Sequence, residues 1–272
     1  MLRQRIGTGL VLAPLALALV FYLPPAWIEL ALAPILAIAA WEWVRLAGVE
    51  NSLARLAGGL ALGALVGFGL PLLPDGWALP ALGAGVAAWF IVAFLWLPQQ
   101  PGAAGGTAVI VAKLLAGILI LLFAGLALAT VFRLTDGRLW LLCLLLVIWG
   151  ADIGAYFSGK RFGRRKLAPS ISPGKTWEGV VGGLLMAVLV GVVAGRIAGF
   201  DAGKGGGLAL LCLGTAAISI VGDLFASLLK RQQGLKDTSA LLPGHGGIID
   251  RTDSLLAAGP LFATGLVALG VR

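Results

Sequence analysis

Charge is scarce in this chain: 12% of its 272 residues are Asp, Glu, Lys or Arg, against about 25% in an ordinary soluble domain. So little polar surface cannot coat a water-soluble globule. With 60% hydrophobic residues and a mean hydropathy of +1.01, the solvent implied is a bilayer. Cysteine and histidine are scarcer still. Cys143 and Cys212 both sit inside apolar runs and there is one histidine, so neither a disulfide framework nor a structural zinc site is expected, and any metal must be oxygen-bound. A cleavable signal peptide is not expected either, since no small-residue cleavage site followed by a polar segment comes after Leu23.

What is present is a series of apolar runs, each about 20 residues long, the length of helix that crosses a hydrocarbon core. They centre on residues 7–23, 27–44, 56–73, 77–97, 109–131, 139–157, 180–193, 208–229 and 255–271. The expected fold is therefore all-α, a polytopic membrane bundle of about nine transmembrane helices. Pro24-Pro25, the stretch 71–74, the linker 98–106 and Thr135-Asp136-Gly137 punctuate it. Two regions are expected: 1–131, spans for packing, lipid access or dimer contacts, and 132–272, the part that carries chemistry. The small-residue faces are also compatible with a homodimer.

Two longer polar segments, 159–179 and 230–254, hold most of the charge. If the N-terminus is cytoplasmic, fifteen of the twenty Lys and Arg fall on the cytoplasmic side, as the positive-inside bias requires. Both polar segments then face the cytoplasm. The net charge of +8 is thus explained by topology, and no nucleic-acid partner is expected. In the first five spans, Glu42 and Arg45 stand three apart beside Trp41 and Trp43, which reads as a local ion pair in an aromatic interface belt, and Glu29 reads the same way at the far interface.

Asp223 falls in the middle of an apolar helix, where an ionised group costs at least about 2.5 kcal/mol and so signals function. Ser227, Lys230 and Arg231 follow at i+4, i+7 and i+8, on the same helical face. Beyond Lys236 and Asp237, the run Pro243-Gly244-His245-Gly246-Gly247 offers backbone N–H groups to an anion. Asp250 and Asp253, i and i+3 at a helix start with Arg251 between them, join Asp223 as oxygen ligands suited to Mg²⁺ and a polyphosphate. In the other segment, Asp152 and Tyr156 share a face of the sixth span, and the basic run 161–166 reads equally as a second cationic half of the site or as a topogenic or anionic-lipid patch. The stretch Ser172-Pro173-Gly174-Lys175-Thr176-Trp177-Glu178 has phosphate-contact residue types but not the spacing of a P-loop.

These residues carry a resemblance. Ser227-x-Leu229-Lys230-Arg231, then Lys236-Asp237-x-Ser239, then Leu242-Pro243-x-His245-Gly246-Gly247-Ile248-x-Asp250-Arg251-x-Asp253 resembles the defining motif of phosphatidate cytidylyltransferases. Ser172-Pro173-x-Lys175-Thr176-x-Glu178-Gly179 is similar to a second element of that family. The resemblance implies transfer of the CMP unit of CTP to phosphatidate, giving CDP-diacylglycerol and pyrophosphate in phospholipid biosynthesis at a bacterial inner membrane. It also implies Mg²⁺, one or two divalent cations or a divalent with a monovalent one. Under it, Asp223, Asp250 and Asp253 are the metal ligands, and Lys230, Arg231, Lys236 and Arg251 hold phosphates. Asp237 orients Lys236 or joins the metal shell. His245 is favoured as a catalytic group over a turn histidine. Ser172, Lys175, Thr176, Glu178, Ser227, Gly246, Gly247, Asp152 and Tyr156 are assigned to substrate. The competing readings are a CTP-dependent lipid kinase, an ion-coupled transporter and a lipid-binding scaffold. A transporter is disfavoured by the absence of an internal repeat and by charge concentrated in two segments on one side.

Overall fold

The computed structural model describes residues 11, 14–24, 27–65, 68, 78–98 and 106–271. The start of the first expected span, the end of the third and most of the linker 98–106 lie outside these residues, as does the side chain of Glu29. In chain order the helices are α1 (14–22), α2 (Ile28–Leu46), α3 (Ser52–Ala64), α4 (Ala78–Leu95), α5 (Thr107–Arg133), α6 (Gly137–Phe162), α7 (Trp177–Ile197), α8 (Ala202–Gln232) and α9 (Ile249–Ala268). Among the described residues, α5, α6, α7 and α8 are each long and apolar enough to cross a membrane. A helical membrane protein follows.

The fold is not purely helical. Between α6 and α7 lies a hairpin of β1 (Lys166–Ala168) and β2 (Ser172–Thr176), paired antiparallel with Lys166 opposite Thr176 and Ala168 opposite Ser172. The expected polar loop of 159–179 is thus mostly ordered structure, because α6 runs on to Phe162 and α7 begins at Trp177.

Small residues let the helices approach closely. A Cβ on Gly154 would lie 2.6 Å from the Gly182 carbonyl oxygen, and one on Gly183 would lie 2.7 Å from that of Ala151, so α6 and α7 pack backbone to backbone. At Gly222 a Cβ would come within 2.5 Å of the Asp253 carbonyl oxygen. The crossing of α8 and α9 therefore sits directly beside Asp223. Helix α9 also packs against α2, α4, α5 and α6, which places it at the centre of the bundle.

Three helix starts are capped by their own side chains. Asn51 caps α3, Thr176 caps α7 and Asp201 caps α8, each side chain accepting from the backbone N–H three residues on. At α9 the capping position is Ile248, which has no side-chain acceptor. Large hydrophobic side chains such as Leu185 and Leu189 of α7 are exposed, as expected of a helix facing lipid.

Candidate active site

Helix α8 has 31 residues and is about 46 Å long, well beyond the ~30 Å hydrocarbon core. Lys230 and Arg231 lie in its last turn, and Asp223 lies about 14 Å back from its C-terminal end along the axis. Two residues further, Phe225 is 1% exposed and is ringed by Trp43, Trp89 and Trp96 at centroid distances of 6.0, 5.9 and 5.4 Å. These rings fix the rotation of α8 against α2 and the end of α4. That rotation leaves Asp223 facing the opposite way, toward α6 and the hairpin.

The hairpin meets it there. Ile171 at the hairpin tip is buried against Leu224 and Leu228 of α8, and Arg231 reaches back to the Ile171 carbonyl at a long 3.5 Å. With the tip seated, Lys175 of β2 forms an ion pair with Asp223, whose side chain remains 31% exposed. Ser227 donates to the same carboxylate at 3.3 Å, one helical turn along. Asp152 of α6 and Asp253 of α9 are both close enough to Asp223 to feel its negative charge, and Arg251 and Lys175 act on Asp152 in the opposite sense. Carboxylates of α6 and α9 thus lie within electrostatic reach of the one on α8, with lysine and arginine as the counter-charge.

Beside them is a cavity of about 340 Å³ lined by Asp152, Tyr156, Lys160, Lys175, Thr176 and Ser254, among others. Tyr156 is exposed, with the Lys160 ammonium 5.6 Å from its ring centre. Ser219 and Ser254, which also line this cavity, were not singled out in the sequence. Their signal was present: Ser219 lies four residues before Asp223 on the same helical face, and Ser254 adjoins Asp253. A larger cavity of about 800 Å³ lies at the other end of α6 and α7, lined mainly by Leu, Val and Ile. It lacks the convergent charges of the smaller one, so size alone does not locate the chemistry.

Several predicted residues hold the architecture together. Thr176 is buried and caps α7 through the Gly179 N–H at 3.1 Å. The Glu178 carboxylate accepts from the N–H groups of Arg164 at 3.1 Å and Arg165 at 3.3 Å, closing the neck of the hairpin. Arg231 also donates to the Leu235 carbonyl at 3.2 Å. Ser172 sits in β2 opposite Ala168.

The Asp250 side chain is 3% exposed and accepts from Lys230 Nζ at 2.6 Å, Thr238 N at 2.7 Å and Gly247 N at 2.9 Å, and the Thr238 hydroxyl, whose single proton also faces Glu42, lies 2.8 Å away. Asp250 therefore gathers both ends of the loop 233–248, while Asp223 and Asp253 gather at the α8–α9 crossing. Among the described residues, no three His, Cys, Asp or Glu side chains form a preformed metal cluster. Lys236 and Asp237 are exposed on the loop. His245 sits in a tight turn, its N–H donating to the Leu242 carbonyl at 2.9 Å, and its buried Nδ1 has no hydrogen-bond partner among the described residues. Gly244 and Gly246 have φ of +75° and +81°, the left-handed region that favours glycine.

The reading of Glu42 and Arg45 as a local ion pair is overturned. Glu42 is 0% exposed and turns into the loop, accepting from Thr238, Ser239, Ile248 and Ile249. Arg45 donates to the Thr238 carbonyl at 3.0 Å. Burial against a loop almost 200 residues away, rather than an exposed helix face, decides their partners.

Residues 3–269 match the sequence model of the Cytidylyltransferase family. The chain belongs to that family. It is 48% identical over 280 residues to the phosphatidate cytidylyltransferase of Pseudomonas aeruginosa, covering 99% of this chain and 98% of that protein. To the phosphatidate cytidylyltransferase of Haemophilus influenzae it is 35% identical over 283 residues, covering 97% and 98%. With that of Brucella suis, 118 residues align at 46% identity, 43% of each chain. The first two matches extend through the N-terminal helices, where the sequence motifs are silent.

Proposed function

We propose that this chain is a phosphatidate cytidylyltransferase, joining the CMP unit of CTP to phosphatidate. The observation that carries the reading is Asp223, an open carboxylate within a membrane helix, facing a lysine from one polar segment and the start of α9 from the other. An oxygen of the phosphatidate phosphate attacks the α-phosphorus of CTP. The new P–O bond forms as the bond between the α- and β-phosphates breaks, and pyrophosphate leaves with the electron pair. Such a displacement depends on in-line placement and charge neutralisation, and it needs no nucleophilic side chain. Lys175, Lys160, Arg251 and Lys236 supply positive charge for phosphate oxygens, and arginine can hold them through two parallel hydrogen bonds.

The donor set suits a hard divalent cation. Asp152, Asp223 and Asp253 are all oxygen donors, and their crowding leaves like charges in mutual repulsion that Lys175 relieves only in part. Asp223 and Asp253 would hold Mg²⁺, with Asp250 joining them only by releasing Lys230. When bound, the cation neutralises charge on the triphosphate. The Ser227 hydroxyl orients the Asp223 carboxylate, and the Gly246–Gly247 backbone keeps the loop close enough for Lys236 to reach a phosphate.

The lysine and arginine bias supports an orientation with the N-terminus, both polar segments and the cavity on the cytoplasmic side, where CTP is available. The exposed Tyr156, Phe157, Phe162 and Trp177 near the hairpin suit the level of the inner-leaflet headgroups, from which phosphatidate would enter. The deciding experiment supplies purified protein with CTP labelled in the cytosine ring, with and without phosphatidate and with Mg²⁺ or EDTA. Ring label should enter the organic extract only with phosphatidate and Mg²⁺. Ring label that stays aqueous while the γ-phosphate enters lipid would instead identify a lipid kinase.

A further inference from the structure

Helix α9 carries Asp250 and Arg251 in its first turn and Asp253 in the next but has no capping side chain of its own. The first N–H groups of a helix need an acceptor, and in a bundle interior water does not supply it. Here the acceptor comes from another helix. Glu42 Oε1 takes the Ile248 N–H at 2.9 Å and the Ser239 hydroxyl at 2.7 Å. Glu42 Oε2 takes the Ile249 N–H at 2.8 Å and the Thr238 hydroxyl at 2.9 Å. We propose that Glu42 is a positioning residue: a carboxylate of α2 that caps α9 and so sets where Asp250, Arg251 and Asp253 stand for cytidylyl transfer.

Three features give the arrangement its specificity. Both oxygens of Glu42 face a backbone N–H, so the group must accept at both positions. A glutamine of the same size fails in either amide orientation, because its NH₂ then meets an N–H. The Thr238 hydroxyl lies between Glu42 and Asp250, at 2.9 and 2.8 Å, and links the placement of α2 to that of Asp250. Finally, a Cβ on Gly247 would collide with both Glu42 Oε1 and Thr238 Oγ1, so only glycine lets the loop close this tightly around the carboxylate. The loop between α8 and α9 is thereby held from outside its own helices.

The inference rests on the proposed transfer reaction for its kinetic meaning, but its structural content can be measured separately. In full-length Glu42→Gln protein in lipid nanodiscs, amide exchange over residues 247–251 should rise about tenfold while that over 166–176 stays as in wild type. Turnover per folded molecule should fall on the order of 10- to 100-fold, with KM for CTP changed far less. Wild-type exchange and wild-type kcat per folded molecule in Glu42→Gln would overturn the assignment, as would a loss confined to the yield of folded protein. If Glu42→Gln does not fold, Ser239→Ala and Thr238→Val each remove one donor and keep the carboxylate. Both should raise exchange over 247–251 and lower kcat by a smaller factor, and unchanged values in both would sink the idea. Absence of cytidylyl transfer in the wild type would remove the functional reading alone, since the exchange measurement stands without it.

Discussion

The hairpin at 166–176 and the loop at 233–248 both flank the cluster around Asp223, yet they are held in opposite ways. The hairpin is closed by its neighbours in sequence: Glu178 binds the N–H groups of Arg164 and Arg165, 14 and 13 residues away, and Thr176 caps the helix that follows. The loop is closed by Asp250 beside it and, from a distance, by Glu42 and Arg45, separated from their partners by 193 to 207 residues. One segment is a local structure that brings Lys175 to the site. The other takes its shape from a helix in the half of the chain that has no recognisable motif. The difference teaches that residues far from the family motif can govern the motif's geometry.

The contrast can be broken at its meeting point first. Asp223→Ala should lower cytidylyl transfer on the order of 10³-fold while leaving membrane insertion intact, because it removes the carboxylate on which both segments converge. Turnover close to wild type in that variant would refute the placement of the reaction. Next is Gly247→Ala, which adds a methyl against Glu42 and Thr238. It should cost about 1–3 kcal/mol by overpacking, read as a lower unfolding midpoint, whereas Gly174→Ala in the hairpin meets nothing within 4 Å and should leave the midpoint unchanged. Equal midpoints for the two variants would mean that the loop is no more tightly held than the hairpin. The smallest expected effect is that of Thr176→Ala, about 1 kcal/mol for a lost helix cap. Its exchange signature should stay within 163–180 and not reach 247–251, so a change spreading to the α9 start would show that the two supports are coupled.

Much of this site could be read before any coordinates. Asp223 announced itself by its cost in an apolar run, and the i+4 spacing to Ser227 was realised as a hydrogen bond. Asp152 and Tyr156, expected to share a face of α6, do line one cavity. The role of Glu42 was not legible, because an acidic residue beside an arginine and two tryptophans at a helix end has a sufficient local explanation. Nothing in its neighbourhood indicates a loop two hundred residues later. The hairpin was missed for a different reason: its strands are three and five residues long, too short for a periodic pattern.

Composition and hydropathy determined on their own that this protein lives in a membrane as a helical bundle, since too few charges exist to face water and apolar runs of that length have no other stable form there. The motif spacing determined which carboxylates and cations are the candidates for the site. The tertiary structure decided how they divide the work: Asp223 open and paired with Lys175, Asp250 enclosed by Lys230, Thr238 and Gly247, and Glu42 capping α9. Spacing sets which face of a helix a side chain occupies, but the partner on that face depends on how the other helices pack around it.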